Sequence, residues 1–335
     1  MIRLIGITRE ELQELPAIEG LTAARRDRIL YWLYKRRISN FKEMIDLPAT
    51  LRKELASRYT PGFYPPQSTF HSSDGSKKYL FDAGEKGIIE TVFLPEARRK
   101  TLCVSVQAGC RMGCSFCSTG AGGYRGNLST GEIINQFCSI PETGSLTHVV
   151  FMGMGEPFDN YENVIRAIRI LTAEWGLALG AAHITVSTVG VLPYLKSFLA
   201  DTRAHVAISL HSPFPEERKR WMPVENKFPV RDIVQFLSNI QLDKRRRISF
   251  EYAMVNGIND SQSHALALTE LLNHQGFRIN LIPFNPVPGL SWSPSDDATI
   301  RRFRDFLDRA GIPATIRKSR GADIGAACGL LAGSR

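Results

Sequence analysis

The chain has 335 residues, of which 43% are hydrophobic, and it carries a formal net charge of +9 at pH 7. This length allows one large core with a small appendage. The sequence contains no run of about 18 apolar residues, and residues 1–4 lack the apolar stretch of a signal peptide, so we expect a cytoplasmic protein without a membrane anchor.

The first elements predicted along the chain form a small helical unit. Apolar residues recur at helical spacing over residues 22–37, and a shorter helix is predicted over residues 51–57. Pro61, Pro65 and Pro66 then mark a boundary. Two apolar runs, 78–81 and 88–94, flank a Gly-containing turn and predict an antiparallel hairpin.

From Thr101 onward, short β-rich runs alternate with helical patterns, which predicts parallel βαβ units. The predicted strands are Leu102–Val106, His148–Met152, His183–Ser187, His205–Leu210, Ile248–Met254 and Arg278–Pro283, with a last extended piece from Ala314 to Lys318. We therefore predict an α/β fold built on a partial six-unit barrel, with an open doubly wound sheet as the alternative. The predicted domains are 1–62, 63–98 and 99–335.

Three of the six cysteines lie close together in the chain, at Cys110, Cys114 and Cys117. Six cysteines are too few for a disulfide scaffold in a chain of this length, and the crowding indicates metal. Structural zinc sites usually take four protein ligands in separated pairs, and no second pair is evident. Three thiolates suit an iron–sulfur cluster that keeps one iron open to a ligand. The cluster is our first interpretation and zinc the alternative.

Polar residues also follow the predicted strands at the rim where a barrel builds its site. Gly153-Met-Gly-Glu-Pro157 follows the second strand, and its small residues permit a close backbone approach. Ser187 ends the third strand, Ser209 and His211 lie at the end of the fourth, and Asn285 follows the sixth, although capping and turn roles are common for Ser and Asn. Near the other end, Cys328 lies among Ala and Gly residues, in a tail that could carry its sulfur to another site.

Taken together, these motifs resemble the RlmN/Cfr family of radical S-adenosylmethionine (SAM) RNA methyltransferases over about residues 22–333. The matching segments are Cys103, the three clustered cysteines, Gly153–Pro157, Ser209-Leu-His211-Ser-Pro, Leu281-Ile-Pro-Phe-Asn285-Pro and Ala326-Ala-Cys328-Gly. The resemblance implies a 4Fe-4S cluster held by Cys110, Cys114 and Cys117, two SAM molecules per turnover, and SAM contacts from Gly155, Glu156, Ser187, Ser209, Leu210, His211 and Asn285.

The resemblance also implies a mechanism. Cys328 accepts a methyl group from one SAM, and a radical from a second SAM activates that methyl group to attack an adenine carbon. Cys103 then forms a transient disulfide with Cys328 and releases the base, while Glu90 takes the ring proton. Cys138 is expected to be structural. Two departures from the family pattern, Gly126 and Leu330, put the substrate contacts in doubt.

The positive charge favours nucleic acid as a partner. The helix over 22–37 mixes Arg25, Arg26, Arg28, Lys35, Arg36 and Arg37 with Tyr31, Trp32 and Tyr34, a composition suited to phosphate contact and base stacking. Further basic runs lie at 218–220, 244–247 (Lys244, Arg245, Arg246 and Arg247) and 317–320. Any single run could equally be a solvated face.

The predicted function is methylation of an adenine carbon in RNA. The first choice of carbon is C2, and the predicted substrate is 23S rRNA, either alone or together with tRNA. The predicted partners are this RNA and a flavodoxin or ferredoxin electron donor, and we expect a monomer. Within the family, the alternative is C8 methylation of the Cfr type, which confers antibiotic resistance. From other classes, the alternatives are a non-catalytic RNA-binding protein with a structural metal and a radical SAM enzyme acting on another substrate.

Overall fold

A computed structural model gives the fold and describes residues 1–241, 243, 245–273 and 276–333. Lys244 of the third basic run therefore lies outside the described residues, as do residues 334 and 335 of the predicted third domain. Within the described part, no helix is long and apolar enough to cross a bilayer.

One sheet dominates the molecule. Its ten strands follow the order β14-β13-β12-β11-β10-β9-β6-β5-β4-β3, with two small sheets elsewhere, β1-β2 and β7-β8. In the described residues the strands are β1 (Ile2–Arg3), β2 (Tyr59–Thr60), β3 (Ser68–His71), β4 (Lys77–Asp82), β5 (Ile88–Pro95), β6 (Lys100–Cys103), β7 (Gln107–Gly109), β8 (Tyr124–Asn127), β9 (His148–Phe151), β10 (Ile184–Thr188), β11 (His205–Ser209), β12 (Ile248–Met254), β13 (Phe277–Pro283) and β14 (Ala314–Ile316).

The order of the parallel strands distinguishes the two predicted architectures. From β6 to β14, each strand pairs in parallel with the next one in the sheet, and the order never reverses. In a doubly wound sheet, the direction in which successive strands are added reverses once. Without this reversal, right-handed crossovers place every connecting helix on the same face of the sheet. The other face therefore becomes a lumen. Because β6 and β14 are not paired with each other, the barrel is partial, and the first prediction is confirmed.

The helices cover the outer face and form most of the N-terminal unit. In the described residues they are α1 (Arg9–Gln13), α2 (Ala23–Leu30), α3 (Ala49–Arg58), α4 (Ser118–Ala121), α5 (Thr130–Cys138), α6 (Tyr161–Thr172), α7 (Leu192–Asp201), α8 (Pro215–Trp221), α9 (Val230–Ser238), α10 (Gln262–Leu271) and α11 (Asp297–Arg309). The Thr22 side chain caps α2, which continues as a π-helical turn over Tyr31–Arg36. The helix predicted over 22–37 therefore exists with a local widening.

The predicted hairpin is confirmed, and it extends the barrel sheet. Strands β4 and β5 pair antiparallel, and β5 pairs antiparallel with β6. Strand β3 adds a further antiparallel edge that the sequence pattern did not predict. All four residues of β3 are exposed, so the strand carries no apolar alternation that would reveal it.

Burial alternates along the barrel strands. In β10 and β13, fully buried residues lie under the helices, while the residues between them remain partly accessible in the lumen. One continuous apolar core runs from Leu4 to Leu331 and includes residues of all three predicted domains. The lumen and the ends of its strands are therefore where functional side chains can meet.

Candidate active site

The three clustered cysteines lie on a loop that is closed by a small antiparallel ribbon. Strands β7 and β8 pair at its base, and the Cys110 amide donates to the Gly123 carbonyl at 3.2 Å. Gly109 has a φ of +76°, and a Cβ there would lie 1.7 Å from that same carbonyl oxygen. The ribbon was not predicted, because three or four residues give too short a pattern.

All three cysteines line one cavity at the carboxyl ends of the barrel strands. Burial raises the pKa of Cys110 to about 12, and burial followed by the charges of Cys117 and Cys110 raises the pKa of Cys114 further. The thiols are therefore close enough to influence one another. Within the described residues, no three His, Cys, Asp or Glu side chains converge on a point suited to one metal ion. A cluster, in contrast, can bind each thiolate through a different iron atom.

The Gly153–Pro157 turn packs against the segment that follows β6. Gly155 has a φ of +97°, and a Cβ there would lie 2.4 Å from the Gln107 Cβ. The buried Glu156 carboxylate accepts hydrogen bonds from the Phe158 amide at 3.0 Å and the Val189 amide at 2.9 Å. Burial raises the pKa of Glu156 to about 7. Glu156 therefore braces two loops as well as lining the cavity.

We expect Gly155→Ala to destabilise the protein by about 2–4 kcal/mol, because the substitution combines overpacking with a left-handed backbone conformation. Urea denaturation measures the change in the free energy of unfolding. Gly144→Ala is the matched control, since a Cβ at Gly144 would meet no atom within 4 Å. Equal stability of the two variants would contradict the packing described for this turn.

Six of the seven predicted SAM-contacting residues line the same cavity; they are Gly155, Glu156, Ser187, Ser209, His211 and Asn285. Leu210 does not line it, and its side chain is fully buried. His211 Nδ1 accepts a hydrogen bond from the Ala253 amide at 3.0 Å, which leaves the ring proton on Nε2. Burial, followed by Arg218, lowers the pKa of His211 to about 3, so the ring is a neutral donor.

Arg218 has a role that the sequence did not reveal. It was predicted as part of a basic run suited to RNA, yet its side chain is completely buried and forms an ion pair with Glu225. Its guanidinium donates to the carbonyls of Val189 at 2.9 Å, Ser209 at 3.0 Å and Leu210 at 3.2 Å. The RNA interpretation is wrong for this residue, because it fastens together the loops after β10 and β11. Lys219 and Arg220 are exposed.

The C-terminal segment is docked over the cysteine loop. Asn285 Nδ2 donates to the Cys328 carbonyl at 3.0 Å, and the Ser118 amide donates to the Gly329 carbonyl at 2.8 Å. Leu330 packs beside Phe284 and Trp292 in a small apolar cluster. The tail, which we expected to carry the Cys328 sulfur to another site, is therefore held at the carbonyls of Cys328 and Gly329. Leu330, one of the two departures from the family pattern, contributes to this attachment.

Cys328 lies where two cavities meet. The second cavity is lined by Cys103, Arg99 and Arg317, and both cavities are lined by Cys328, Cys117 and Arg317. Burial, followed by the charge of Cys328, raises the pKa of Cys103 to about 12. Burial also raises the pKa of Cys328, although its side chain is accessible within the cavities, while Arg317 opposes the shift. All six cysteines are free thiols in the structure, so the transient disulfide stays a prediction.

We expect Asn285→Ala to slow methylation of Cys328 by about 10- to 100-fold, because a small misplacement of a reacting group lowers the reaction rate by factors of this size. The variant loses the bond that holds the Cys328 backbone, and single-turnover mass spectrometry of the C-terminal peptide measures the rate. Asn226→Ala is the control, since Asn226 is exposed and also donates to a backbone carbonyl, that of Pro223. A methylation rate equal to that of the control would show that Asn285 does not position the thiol.

Glu90 and Gly126 lie outside the two cavities. The Glu90 carboxylate accepts from the Gly333 amide at 2.9 Å, and its other oxygen lies 3.3 Å from Lys78 Nζ. It lines neither cavity. Gly126 lies in β8, where an added Cβ would come within 3.2 Å of the Lys86 side chain. A larger residue at Gly126 would therefore displace Lys86, which is paired with Glu132.

The remaining predicted RNA-contacting residues divide into accessible and structural ones. Arg25, Tyr31, Arg36 and Arg37 are exposed, but Tyr34 is buried and donates to the Ile7 carbonyl at 2.6 Å. The prediction that Tyr34 stacks on bases is therefore wrong. Arg320 is also occupied, since it donates to the Pro95 carbonyl at 2.6 Å and the Asp74 carbonyl at 2.8 Å. Cys138 is buried in α5, away from both cavities, in agreement with a structural role.

Comparison with known proteins defines the class. Residues 104–268 match the Radical SAM superfamily, and residues 2–60 match the domain described as the ribosomal RNA large subunit methyltransferase N-terminal domain. The fold matches a radical SAM methyltransferase from Sphaerobacter thermophilus with a TM-score of 0.91 and 37% identity, and each chain is covered completely. This is therefore a radical SAM enzyme of the methyltransferase class.

Full-length relatives then identify the family. A probable dual-specificity RNA methyltransferase RlmN from Parabacteroides distasonis is 45% identical over 329 residues, covering 98% of this chain and 96% of the relative. The dual-specificity RNA methyltransferase RlmN from Halorhodospira halophila is 38% identical over 337 residues, covering 99% and 94%. The chain belongs to the RlmN family, which confirms the resemblance and excludes the non-catalytic alternative.

Proposed function

We propose that this enzyme methylates C2 of adenine in 23S rRNA and in tRNA, using a methyl group carried on Cys328. The observation that supports this most directly is the position of Cys328 between the two cavities. One cavity contains the three clustered cysteines and six residues expected to bind SAM. The other contains Cys103. A thiol at this junction can receive a methyl group on one side and deliver it on the other.

The relatives support the choice of substrate. Those reported above are named dual-specificity RNA methyltransferases of the RlmN type, and the N-terminal match names large-subunit ribosomal RNA. These names do not favour the C8 alternative of the Cfr type. Dual specificity is consistent with action on both rRNA and tRNA.

Cys110, Cys114 and Cys117 fit a 4Fe-4S cluster, because they form a compact set of thiol donors beside the expected SAM contacts. When bound, the cluster supplies the electron for reductive SAM cleavage. His211, as a neutral Nε2 donor, and Ser187 and Ser209 would orient SAM at the strand ends. The Glu156 carboxylate holds the turn after β9 against the turn after β10 through its bond to the Val189 amide.

Cys328 would act as the methyl carrier. Its sulfur forms a bond to the methyl carbon of SAM as the sulfonium bond breaks, S-adenosylhomocysteine leaves, and the thiol proton passes to solvent. Joining the methylene carbon to adenine leaves an unpaired electron on the ring, and this electron must pass to a one-electron acceptor, a role that the bound cluster would fill, as the ring proton leaves to a base. The Cys103 thiolate then attacks the Cys328 sulfur. An S–S bond forms, the sulfur–carbon bond breaks, and its electron pair stays on carbon, which takes up a proton. An external thiol must then reduce the disulfide.

Arg317 would assist both thiols. It lines both cavities; burial raises the pKa of Cys103 and of Cys328, and the Arg317 charge opposes that rise. The thiolate is the nucleophile in both sulfur steps. A cation beside the pair therefore favours the reactive form.

Glu90 would take the ring proton, as general-base catalysis requires a carboxylate near that atom. For this to happen, the segment that carries Gly333 must move away from Glu90, because the Gly333 amide donates a hydrogen bond to the Glu90 carboxylate. Lys78 can remain as the counterion at 3.3 Å. The docked tail thus separates the base from the substrate cavity until the segment shifts.

Residues 1–62 would form an RNA-binding domain that uses the exposed Arg25, Tyr31, Arg36 and Arg37. Residues 63–98 would form the hairpin extension, and 99–335 the catalytic barrel with its tail. We also propose a monomer in the cytoplasm, reduced by a flavodoxin or ferredoxin. These features are consistent with action on ribosomal and transfer RNA.

Mapping of modified adenines in RNA from cells with and without the gene tests the proposal. We expect 2-methyladenine to disappear from one site in 23S rRNA and from a tRNA when the gene is deleted. If 8-methyladenine disappeared instead, the enzyme would methylate C8 rather than C2 of adenine. An unchanged modification map would overturn the proposed function.

A further inference from the structure

A cluster of cationic and histidine side chains lies at the amino-terminal mouth of the barrel, away from the SAM-side cavity. We call it the basic rim, and it consists of Arg99, His148, His183, His205, Arg247 and Arg278. Each of these residues lies at or next to the start of a barrel strand. The basic runs predicted from the sequence included only Arg247 of this group.

The strand register brings these side chains to the lumen. His148 and His205 lie two and four residues before Val150 and Ser209, which line the cavities, and side chains two residues apart share a face. Arg278 is likewise four residues before Ile282. The rings of His148 and His183 lie 4.7 Å apart, and the Arg247 amide donates to His205 Nδ1 at 3.1 Å. The basic rim is therefore one continuous cluster.

The charge of the basic rim is poorly compensated. Within the described residues, the guanidinium groups of Arg247 and Arg278 have no hydrogen-bond or ion-pair partner, and Arg278 Nε is buried. Burial, followed by Arg99 and the neighbouring histidines, lowers the pKa of His148 to about 4. Burial, followed by Arg317, lowers the pKa of Arg99, while Glu96 raises it and Arg247 lowers it. Like charges held together with few counterions are stabilised when an anion binds.

The basic rim is continuous with the substrate cavity. Arg99 lines the second cavity together with Arg317, Cys103 and Cys328, and it lies within electrostatic range of Arg247. Positive charge therefore extends from Arg317, which lines the same cavity as Cys328, through Arg99 to Arg247 and Arg278, which both act on His205. A nucleotide whose base reaches Cys328 must leave its phosphates outside the apolar part of the cavity.

We propose that the basic rim binds backbone phosphates of the RNA substrate next to the target adenosine. This inference rests on the proposed function, since it assigns a path to the same RNA. The guanidinium groups of Arg99, Arg247 and Arg278 supply the phosphate contacts, and the imidazoles of His148, His183 and His205 supply hydrogen bonds. The rim adds affinity without reading sequence, because phosphate contacts position a nucleic acid rather than specify it.

The test measures the salt dependence of binding between the full-length protein and an RNA hairpin with an unpaired adenine in its loop. For the double variant Arg247→Gln/Arg278→Gln, we expect the slope of log affinity against log salt to fall in magnitude by about 0.7–0.9 for each phosphate that is no longer neutralised. Arg247→Lys/Arg278→Lys keeps the charges and should keep the slope. Arg231→Gln/Arg301→Gln is the matched control, because both residues are exposed on outer helices. Thermal unfolding confirms that each variant is folded.

An unchanged slope in the folded Gln double variant would overturn the inference. Absence of salt-dependent RNA binding by the wild type would instead count against the proposed function itself. A different occupant of the rim would be an acidic electron-transfer protein. In that case the Gln double variant would keep its RNA slope and be reduced more slowly than the wild type by a flavodoxin, but at the wild-type rate by dithionite. The rim would then be a redox docking site, and the inference would be wrong.

Discussion

Replacing Cys103 with alanine is expected to leave the protein covalently joined to its RNA through Cys328. Cys103 lines the same cavity as Cys328, and burial, followed by the charge of Cys328, raises the pKa of Cys103. Without the Cys103 thiol, nothing attacks the Cys328 sulfur to break its bond to the methylene carbon. Release of methylated RNA should fall by a factor of about 10³ or more, as for loss of other essential nucleophiles.

Denaturing electrophoresis followed by nuclease digestion and mass spectrometry detects this adduct on the peptide that contains Cys328. Cys138→Ala is the matched control, because Cys138 is 7% exposed, against 8% for Cys103, but lines neither cavity. The control should turn over normally without an adduct. Normal product release by Cys103→Ala would remove Cys103 from the resolving step. An adduct that persisted in Cys103→Ala/Cys328→Ala would show that Cys328 is not the residue joined to the RNA.

The second large effect is expected at Arg218, where Arg218→Met should destabilise the protein by about 3–5 kcal/mol. Methionine preserves much of the side-chain length but leaves the buried Glu225 carboxylate without its partner. It also removes the donors to the carbonyls of Val189, Ser209 and Leu210. Chemical denaturation measures the loss, and Lys219→Met, at an exposed neighbouring position, should be close to neutral.

A milder variant separates positioning from stability. Arg218→Lys retains the charge but cannot reach all three carbonyls, so we expect a folded protein with SAM affinity lowered about tenfold, equivalent to about 1.4 kcal/mol. Isothermal titration with SAM under anaerobic conditions measures the affinity. Unchanged SAM binding in Arg218→Lys would show that the residue supports only the fold.

The sequence predicted the barrel well because its strands obey strong local rules. Each parallel strand is a short β-rich run followed by a helical pattern, and β12 was predicted with its observed ends, Ile248–Met254. The predicted strand ends were less accurate where the chain exchanges one hydrogen-bonding partner for another. The first barrel strand was predicted to end at Val106 but ends at Cys103. The difference arises because the chain turns away from the main sheet there, and the Val106 amide donates to the Met154 carbonyl.

Site residues were predictable where a motif lies at a strand end, and less so where tertiary contacts decide the role. Asn285 was predicted to contact SAM, but its bond to the Cys328 carbonyl joins residues that are distant in the chain. Arg218 resembled a surface cation because its neighbours are charged, and only the buried Glu225 explains its position. The basic rim was missed because its members are single residues on separate strands.

Mass spectrometry of the C-terminal peptide tests the central claim most directly. The protein is reconstituted with its cluster, incubated with SAM bearing a labelled methyl group and a reductant, and digested before RNA is added. We predict one labelled methyl group on Cys328 and, in a parallel undigested sample, its transfer to adenine when RNA follows. An unlabelled Cys328 in a preparation that nevertheless methylates RNA would contradict the role of this thiol as methyl carrier.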